Sequence, residues 1–251
     1  NWDIKQRIAQ KNPYGDWIQQ YRQEHQVQKF ITDTQLTSQE LLKQQTAFGY
    51  TAEDVEMVIE AMAADGKEPT FCMGDDIPLA VLSDKPRLLY DYFKQRFAQV
   101  TNPAIDPLRE SLVMSLQMLL GKRGNLFEIK PEDARLLKLT SPVLNESDLE
   151  KIKTSDFKTE ELSTLYQVVT GPNGLETAIK NLCISATAAV TNGAELIILS
   201  DRIGGTIGED YTYMPPLLAV GAVHHHLICQ GFRLKASLIV DTAKCSRSHH
   251  S

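Results

Sequence analysis

Asp201 and Asp241 are the first residues to weigh for chemistry, because each follows an apolar run, at 195–200 and 236–240. In a (β/α) barrel the C-terminal ends of the strands form the catalytic face, and a carboxylate pair there can divide acid and base roles. No nucleophile or metal-ligand set accompanies them. That favours a structural network, Asp201 with Arg202 and Asp241 with backbone. Gly204-Gly205-Thr206-Ile207-Gly208 offers amides of the kind that cradle a phosphate. Glu209 and Asp210 follow at once and would repel one, so the run reads as a flexible loop. Asp75 and Asp76 are adjacent carboxylates after Gly74. Neighbours on an extended segment point to opposite sides, so a turn with an aspartate capping amides fits better than a shared metal. His224, His225 and His226 also look like a metal cluster. On a helix they point about 100° apart, whereas chelation needs three- or four-residue spacing. Hydrogen bonding or packing is the better reading of the triplet.

The segment 100–107, Val-Thr-Asn-Pro-Ala-Ile-Asp-Pro, is stiffened by two prolines, and Pro103 holds Asn102 extended. Such a loop presents Thr101 and Asn102, with hydroxyl, carbonyl and amide groups, to a small polar species such as ammonia. The plainer reading is a rigid connector in which Asp106 caps a helix beginning at Pro107. The residues alone favour the connector.

The elements that must position these residues fall into two styles. Up to residue 70 the chain reads as helical on a Gln-rich background, with Pro13 and Gly15 dividing the first helical stretch. Thr37 with Glu40 forms a capping-box pattern, Thr51 caps a further helix striped by Val55, Val58, Ile59 and Met62, and Gly66 ends it. Residues 77–82 read as a short buried strand, and Pro86 as the start of a helix burying Leu88, Leu89, Tyr92, Phe93 and Phe97. A helix from Pro107 is expected to bury Leu108, Leu112, Met114, Leu116, Leu119 and Leu120. Residues 126–129 read as a strand, and 132–139 as a short helix. From residue 162 strands at 162–169, 195–200 and 236–240 alternate with helices at 174–192 and 216–229. The loops fall at 170–174 and 203–213.

This order implies an α/β fold: parallel βαβ units forming an incomplete (β/α) barrel-like or open sheet, with a helical N-terminal segment. The expected domains are a lead-in at 1–70 and an α/β core at 71–251. The chain has 251 residues, 42% hydrophobic and 23% charged, with net charge −6 and no basic block. That argues against nucleic acid as a partner. No apolar run approaches the roughly 20 residues of a membrane span, and the N-terminus has no signal-peptide core. Cys72, Cys183, Cys229 and Cys245 are scattered without CxxC spacing, which argues against zinc or iron–sulfur ligation and for reduced thiols in cytosol or plastid stroma.

Two segments carry a family resemblance. Residues 71–110 read FCMGDDIPLAVLSDKPRLLYDYFKQRFAQVTNPAIDPLRE, and residues 213–228 read YMPPLLAVGAVHHHLI, followed by SLIVDTAKC at 237–245. Together they closely resemble the central domain of glutamate synthase, of the ferredoxin-dependent type, over nearly the whole chain. The resemblance implies a scaffold with no active site of its own, set between a glutaminase domain and an FMN-binding synthase domain. It implies a parent enzyme that makes glutamate from glutamine and 2-oxoglutarate, with FMN, an iron–sulfur cluster and ferredoxin. It also places the loop carrying Thr101, Asn102 and Asp106 near an internal ammonia channel.

On this reading the chain by itself has no catalytic, cofactor-binding or metal-binding residues and is silent. No cysteine lies near Asn1 to act as an N-terminal nucleophile. Partner faces left bare, with Tyr211, Tyr213, Met214 and Pro215 as candidates, would favour self-association. After Cys245 the family pattern continues with Trp and a Ser-Thr-His-His run, whereas Ser246-Arg247-Ser248-His249-His250-Ser251 follows here. That departure is a native divergence or part of a histidine tag, and it implies a sheet that stops early. The alternative is a stand-alone (β/α)-type enzyme using Asp201 and Asp241 with a flavin or sugar phosphate.

Overall fold

A computed structural model describes residues 1–26, 36–66, 79–93, 106–203, 207, 208 and 210–244. The N-terminal helices are α1 (Trp2–Ala9), α2 (Tyr14–Tyr21), α3 (Ser38–Ala47), α4 (Ala52–Asp54) and α5 (Ala61–Asp65), the last two joined by a π-helical turn at Val55–Glu60. Both threonine caps form: Thr37 and Thr51 accept the amides of Glu40 and Asp54, whose carboxylates reach back. Gly66 closes α5 in the left-handed region at φ 64°, which favours glycine.

A short strand, β1 (Gln23–Glu24), leaves this segment and pairs parallel with β3 (Leu137–Leu139). β3 also pairs antiparallel with β2 (Met118–Leu120), which follows α6 (Pro107–Val113). A buried pair pins β1: His25 Nε2 lies 2.8 Å from Asp148 Oδ1. Asp148 belongs to α7 (Glu146–Lys153), whose first turn it caps with Asn145.

The main sheet is parallel, in the order β4 (Thr159–Ser163), β6 (Leu196–Ser200), β8 (Ser237–Asp241). α8 (Gly171–Thr191) makes the first crossover and α9 (Pro216–Cys229) the second. A two-stranded ribbon, β5 (Leu165–Gln167) with β7 (Tyr211–Tyr213), stands beside it. β6 is buried along its whole length because both of its faces are covered. Ile197 and Leu199 pack with Ala186, Val190, Val223 and Leu227 of α8 and α9. Leu196 and Ile198 pack on the other face with Leu149, Ile152, Phe157 and Leu137. The period-two alternation of one strand thus divides two cores. Both crossover helices lie on one face and the strands follow in chain order, which is the progression of an unclosed (β/α) barrel. The expected α/β class holds.

Several local expectations fail. Ala80–Leu82 is a 3-10 turn and not a strand, with Val81 and Leu82 exposed. No neighbouring strand is available among the described residues, and the Leu82 and Ser83 amides bond back to Leu79 and Ala80 instead. In place of a helix from Pro86 there is a 3-10 turn, Leu89–Tyr92, that buries Tyr90 and leaves Tyr92 and Phe93 exposed. Phe97 lies outside the described residues. Of the apolar residues expected to be core after Pro107, only Leu120 is buried. Residues 126–129 form a turn, in which the Asn125 side chain accepts the Phe127 amide at 3.0 Å. Residues 132–139 divide into a 3-10 turn at Pro131–Ala134 and β3. The single strand expected at 162–169 breaks at Thr164, whose amide bonds Ser200 while its carbonyl accepts from Met214, each at 2.8 Å. That residue passes the chain from the parallel sheet to the ribbon.

Candidate functional site

The C-terminal ends of β4, β6 and β8 converge where the sequence places Asp201 and Asp241. Register sets Ser163, Ser200 and Asp241 side by side. Ser200 donates its hydroxyl to Asp241 Oδ2 at 2.8 Å, and Thr242 donates to Asp201 Oδ2 at 2.5 Å. The Asp201 amide bonds the Asp241 carbonyl at 3.2 Å. The expected Asp201–Arg202 pairing is redistributed. Arg202 bonds Glu146 at 2.8 Å and stands 3.8 Å from Asp241 Oδ1. Asp201 instead takes hydrogen bonds from the β8 exit. Ser200, Thr164 and Thr242 were missed by sequence reasoning; small hydroxyl residues at the last positions of apolar strands are the signal that could have found them.

Burial pushes the Asp201 carboxyl up to about 6, helped by the charge of Asp241 and opposed by the Thr242 and Ala243 hydrogen bonds and by Arg202. The sign is that of a raised carboxyl. Folding disfavours the ionised form, so stability is fully present below pH 4 and falls as pH rises from about 4 to 6. We expect this one group to cost at most ~3 kcal/mol by pH 7. Asp201→Asn keeps an acceptor for Thr242 and should remove that share of the slope, leaving the variant more stable than the parent at pH 7.5. Parallel stability profiles of variant and parent from pH 4 to 7.5 would show that Asp201 is not the source.

The N-terminal segment reaches the same strand ends. Tyr50 donates its hydroxyl to the Ala243 carbonyl at 2.6 Å, and the buried Lys244 places its ammonium 4.1 Å over the Tyr50 ring. Burial draws the Lys244 ammonium down, against the opposing charges of Asp54 and Asp91. Tyr213 stacks on Phe48 at 4.9 Å and donates to its carbonyl at 3.4 Å. The Tyr90 hydroxyl accepts the Leu217 amide at the start of α9, at 3.4 Å. Burial pushes the Tyr213 phenol above its ordinary range. These aromatic contacts knit the segment around residues 48–54 and 90 to the exits of β7 and β8. They overturn the expectation that Tyr213 and Met214 lie bare. Met214 is only 2% exposed and packs in the core with Val223 and Leu227.

The three histidines turn to different partners. His224 Nδ1 accepts from Arg233 at 2.8 Å, the His225 ring stands edge-on to His224, and His226 Nε2 lies 2.9 Å from Thr187 of α8. Burial, with Arg233 beside it, lowers the His224 ring below its ordinary range. Asp106 caps α6: its Oδ1 accepts the Arg109 amide at 2.9 Å and its Oδ2 pairs with Arg109 Nε at 3.3 Å. Thr101 and Asn102, the other two candidate channel residues, lie outside the described residues, as do Asp75, Asp76 and Gly204–Thr206.

The described residues at these strand ends offer no arrangement suited to the implied cofactors. Among the described residues no group of three His, Cys, Asp or Glu could hold a metal ion, and Cys183 and Cys229 lie on separate helices. A groove of ≈ 590 Å³ opens beside Asp241, lined by Glu146, Glu150, Lys153 and Arg202. Its carboxylates would repel a flavin phosphate, and both cations are already ion-paired. Asp241 borders this groove, and Asp201 is not among the residues that line it.

The sequence that builds this α/β fold and its strand-end network matches a known family. The glutamate synthase central domain matches residues 43–251, and the chain belongs to that family. It is 63% identical over its full length to ferredoxin-dependent glutamate synthase 2 of Synechocystis sp.. It is 53% identical, over 99% of the chain, to the chloroplastic ferredoxin-dependent glutamate synthase of Oryza sativa subsp. japonica. It is 50% identical, over its full length, to the ferredoxin-dependent glutamate synthase of Pyropia yezoensis. The chain spans about 16% of the length of each of these relatives. Among the described residues no helix is long and apolar enough to cross a membrane.

Proposed function

We propose that this chain is the central scaffold of a ferredoxin-dependent glutamate synthase. It links a glutaminase domain to an FMN synthase domain and helps to form the ammonia channel between them. The observation that carries this reading is full-length identity of 50–63% to proteins of that name, each about six times longer. The parent converts glutamine and 2-oxoglutarate to glutamate. FMN and an iron–sulfur cluster, held by other domains, supply the electrons that ferredoxin delivers. The compartment that fits is the cytosol, or the stroma in a plastid.

Within this domain, 1–70 acts as a lead-in to the 71–251 core, and β1, His25 and Tyr50 support its being clamped there. Thr101 and Asn102 present the polar lining of the channel. The Asp106 cap fixes the end of their loop to α6. The strand-end network of Ser200, Asp201, Asp241 and Thr242 holds the scaffold's shape and does no chemistry. The complete protein, given glutamine, 2-oxoglutarate and reduced ferredoxin, should form glutamate, and should stop when any one is withheld. Failure of the complete, folded protein to form glutamate would overturn the reading.

A further inference from the structure

We propose that the apolar side of α6 and the stretch after it is a docking surface for another domain of the same long polypeptide, an inference that rests on the functional reading above. Leu108 is 84% exposed and Leu112, one turn later on the same side, 80%. Met114 and Leu116 continue the exposed apolar run toward β2. No described element covers Leu108 or Leu112. The helix is nonetheless held in shape from its N-terminus, where Asp106 caps the Arg109 amide and pairs with its side chain. A helix fixed by its cap, with its apolar side outward, is prepared to receive a partner. Apolar side chains clustered on a surface in this way mark interaction sites.

The occupant follows from size and tethering. The relatives match the chain over its full length, yet the chain makes up only about 16% of them, so most of such a polypeptide lies elsewhere. One seven-residue helix and the strand approach after it offer far less than the roughly 800 Å² per partner that a stable complex of separate chains buries. A linked domain needs less area, because tethering supplies an effective concentration of order millimolar. The partner face must therefore be apolar, uncharged at its centre and carried in cis.

The test uses the complete protein. Leu112→Cys is placed in it, with Lys180→Cys on the exposed side of α8 as the reference, and maleimide labelling is timed by peptide mass spectrometry. The thiol introduced at position 112 should label at least ~10-fold more slowly than the one at position 180, at a rate unchanged by dilution, since a docked site reacts only through local opening. Labelling as fast as the reference overturns the proposal. Slow labelling that accelerates on dilution assigns the face to a second copy, and also overturns it. Where the variant fails to fold, peroxide oxidation of Met114 in the unsubstituted protein gives the same reading: slow in the native protein if docked, as fast as in the unfolded chain if not. Glutamate formation, assayed on the same sample, keeps the two ideas apart. Fast labelling in an active enzyme sinks the docking surface alone, and absence of activity in the unsubstituted protein sinks the functional reading.

Discussion

Thr101→Leu in the complete enzyme is expected to uncouple its two half-reactions. A leucine replaces a hydroxyl that can donate to and accept from ammonia with a larger apolar group, and a narrow polar passage lined by it would be blocked or dried. Glutamine hydrolysis should continue while 2-oxoglutarate consumption falls, so their ratio should rise several-fold and ammonia should appear in solution. Asp106→Ala is the control for mere disruption of the loop, since it removes the cap on α6. Loss of such a cap costs about 1 kcal/mol of helix stability. It should lower stability with a smaller effect on the ratio. An unchanged ratio in Thr101→Leu, with a clearly lower melting temperature, would make the loop a structural connector and remove the channel assignment.

The largest effect on stability should come from β6. Ile197 and Ile198 are both fully buried, but they face different cores. Truncating either to alanine removes three carbons from a close-packed site and leaves a cavity, at about 3 kcal/mol each. Because the two side chains share no core neighbours, the double variant should lose the sum, ~6 kcal/mol. That is a large part of the roughly 5–15 kcal/mol that typically holds a domain folded. Urea unfolding of the single and double variants measures this. A double variant no worse than either single one would mean that the two sites are strongly coupled and that β6 does not divide the cores.

What was legible in the sequence was whatever carried its own local signals. α9 was read to the residue because Pro216 sets its first turn, a long apolar run precedes its three histidines, and Gly231 follows in the left-handed region. The capping box at Thr37 and the cap at Thr51 were equally plain, since each lies within four residues; that Asp54 completes a box at Thr51 emerged only in the structure. Features that depend on what lies opposite were not legible. The apolar run ending at Leu82 had no strand to pair with among the described residues and became a turn. The Leu108 and Leu112 pattern marked an apolar face correctly but could not say that no described element meets it.

The site divides in the same way. Asp201 and Asp241 were found at strand ends, because an aspartate after an apolar run is visible in one dimension. Their partners come from distant stretches, Thr242 for Asp201 and Ser200 for Asp241, and so do the contacts around them, Glu146 on α7 for Arg202 and Tyr50 on the N-terminal segment for Ala243. Tyr213 and Met214 were misread as bare surface, because the elements that cover them, the Phe48 region and α9, are separated from them in sequence or turn back over them.

We propose that this chain positions other domains and performs no chemistry itself. The most direct measurement is made on the 251-residue chain alone, shown first to unfold cooperatively. It should be mixed with FMN at micromolar concentration, and separately with glutamine. The expected result is a colourless protein after gel filtration, no flavin absorbance and no release of ammonia from glutamine. Stoichiometric FMN retained by the folded chain, or glutamine hydrolysis that survives repurification, would contradict it.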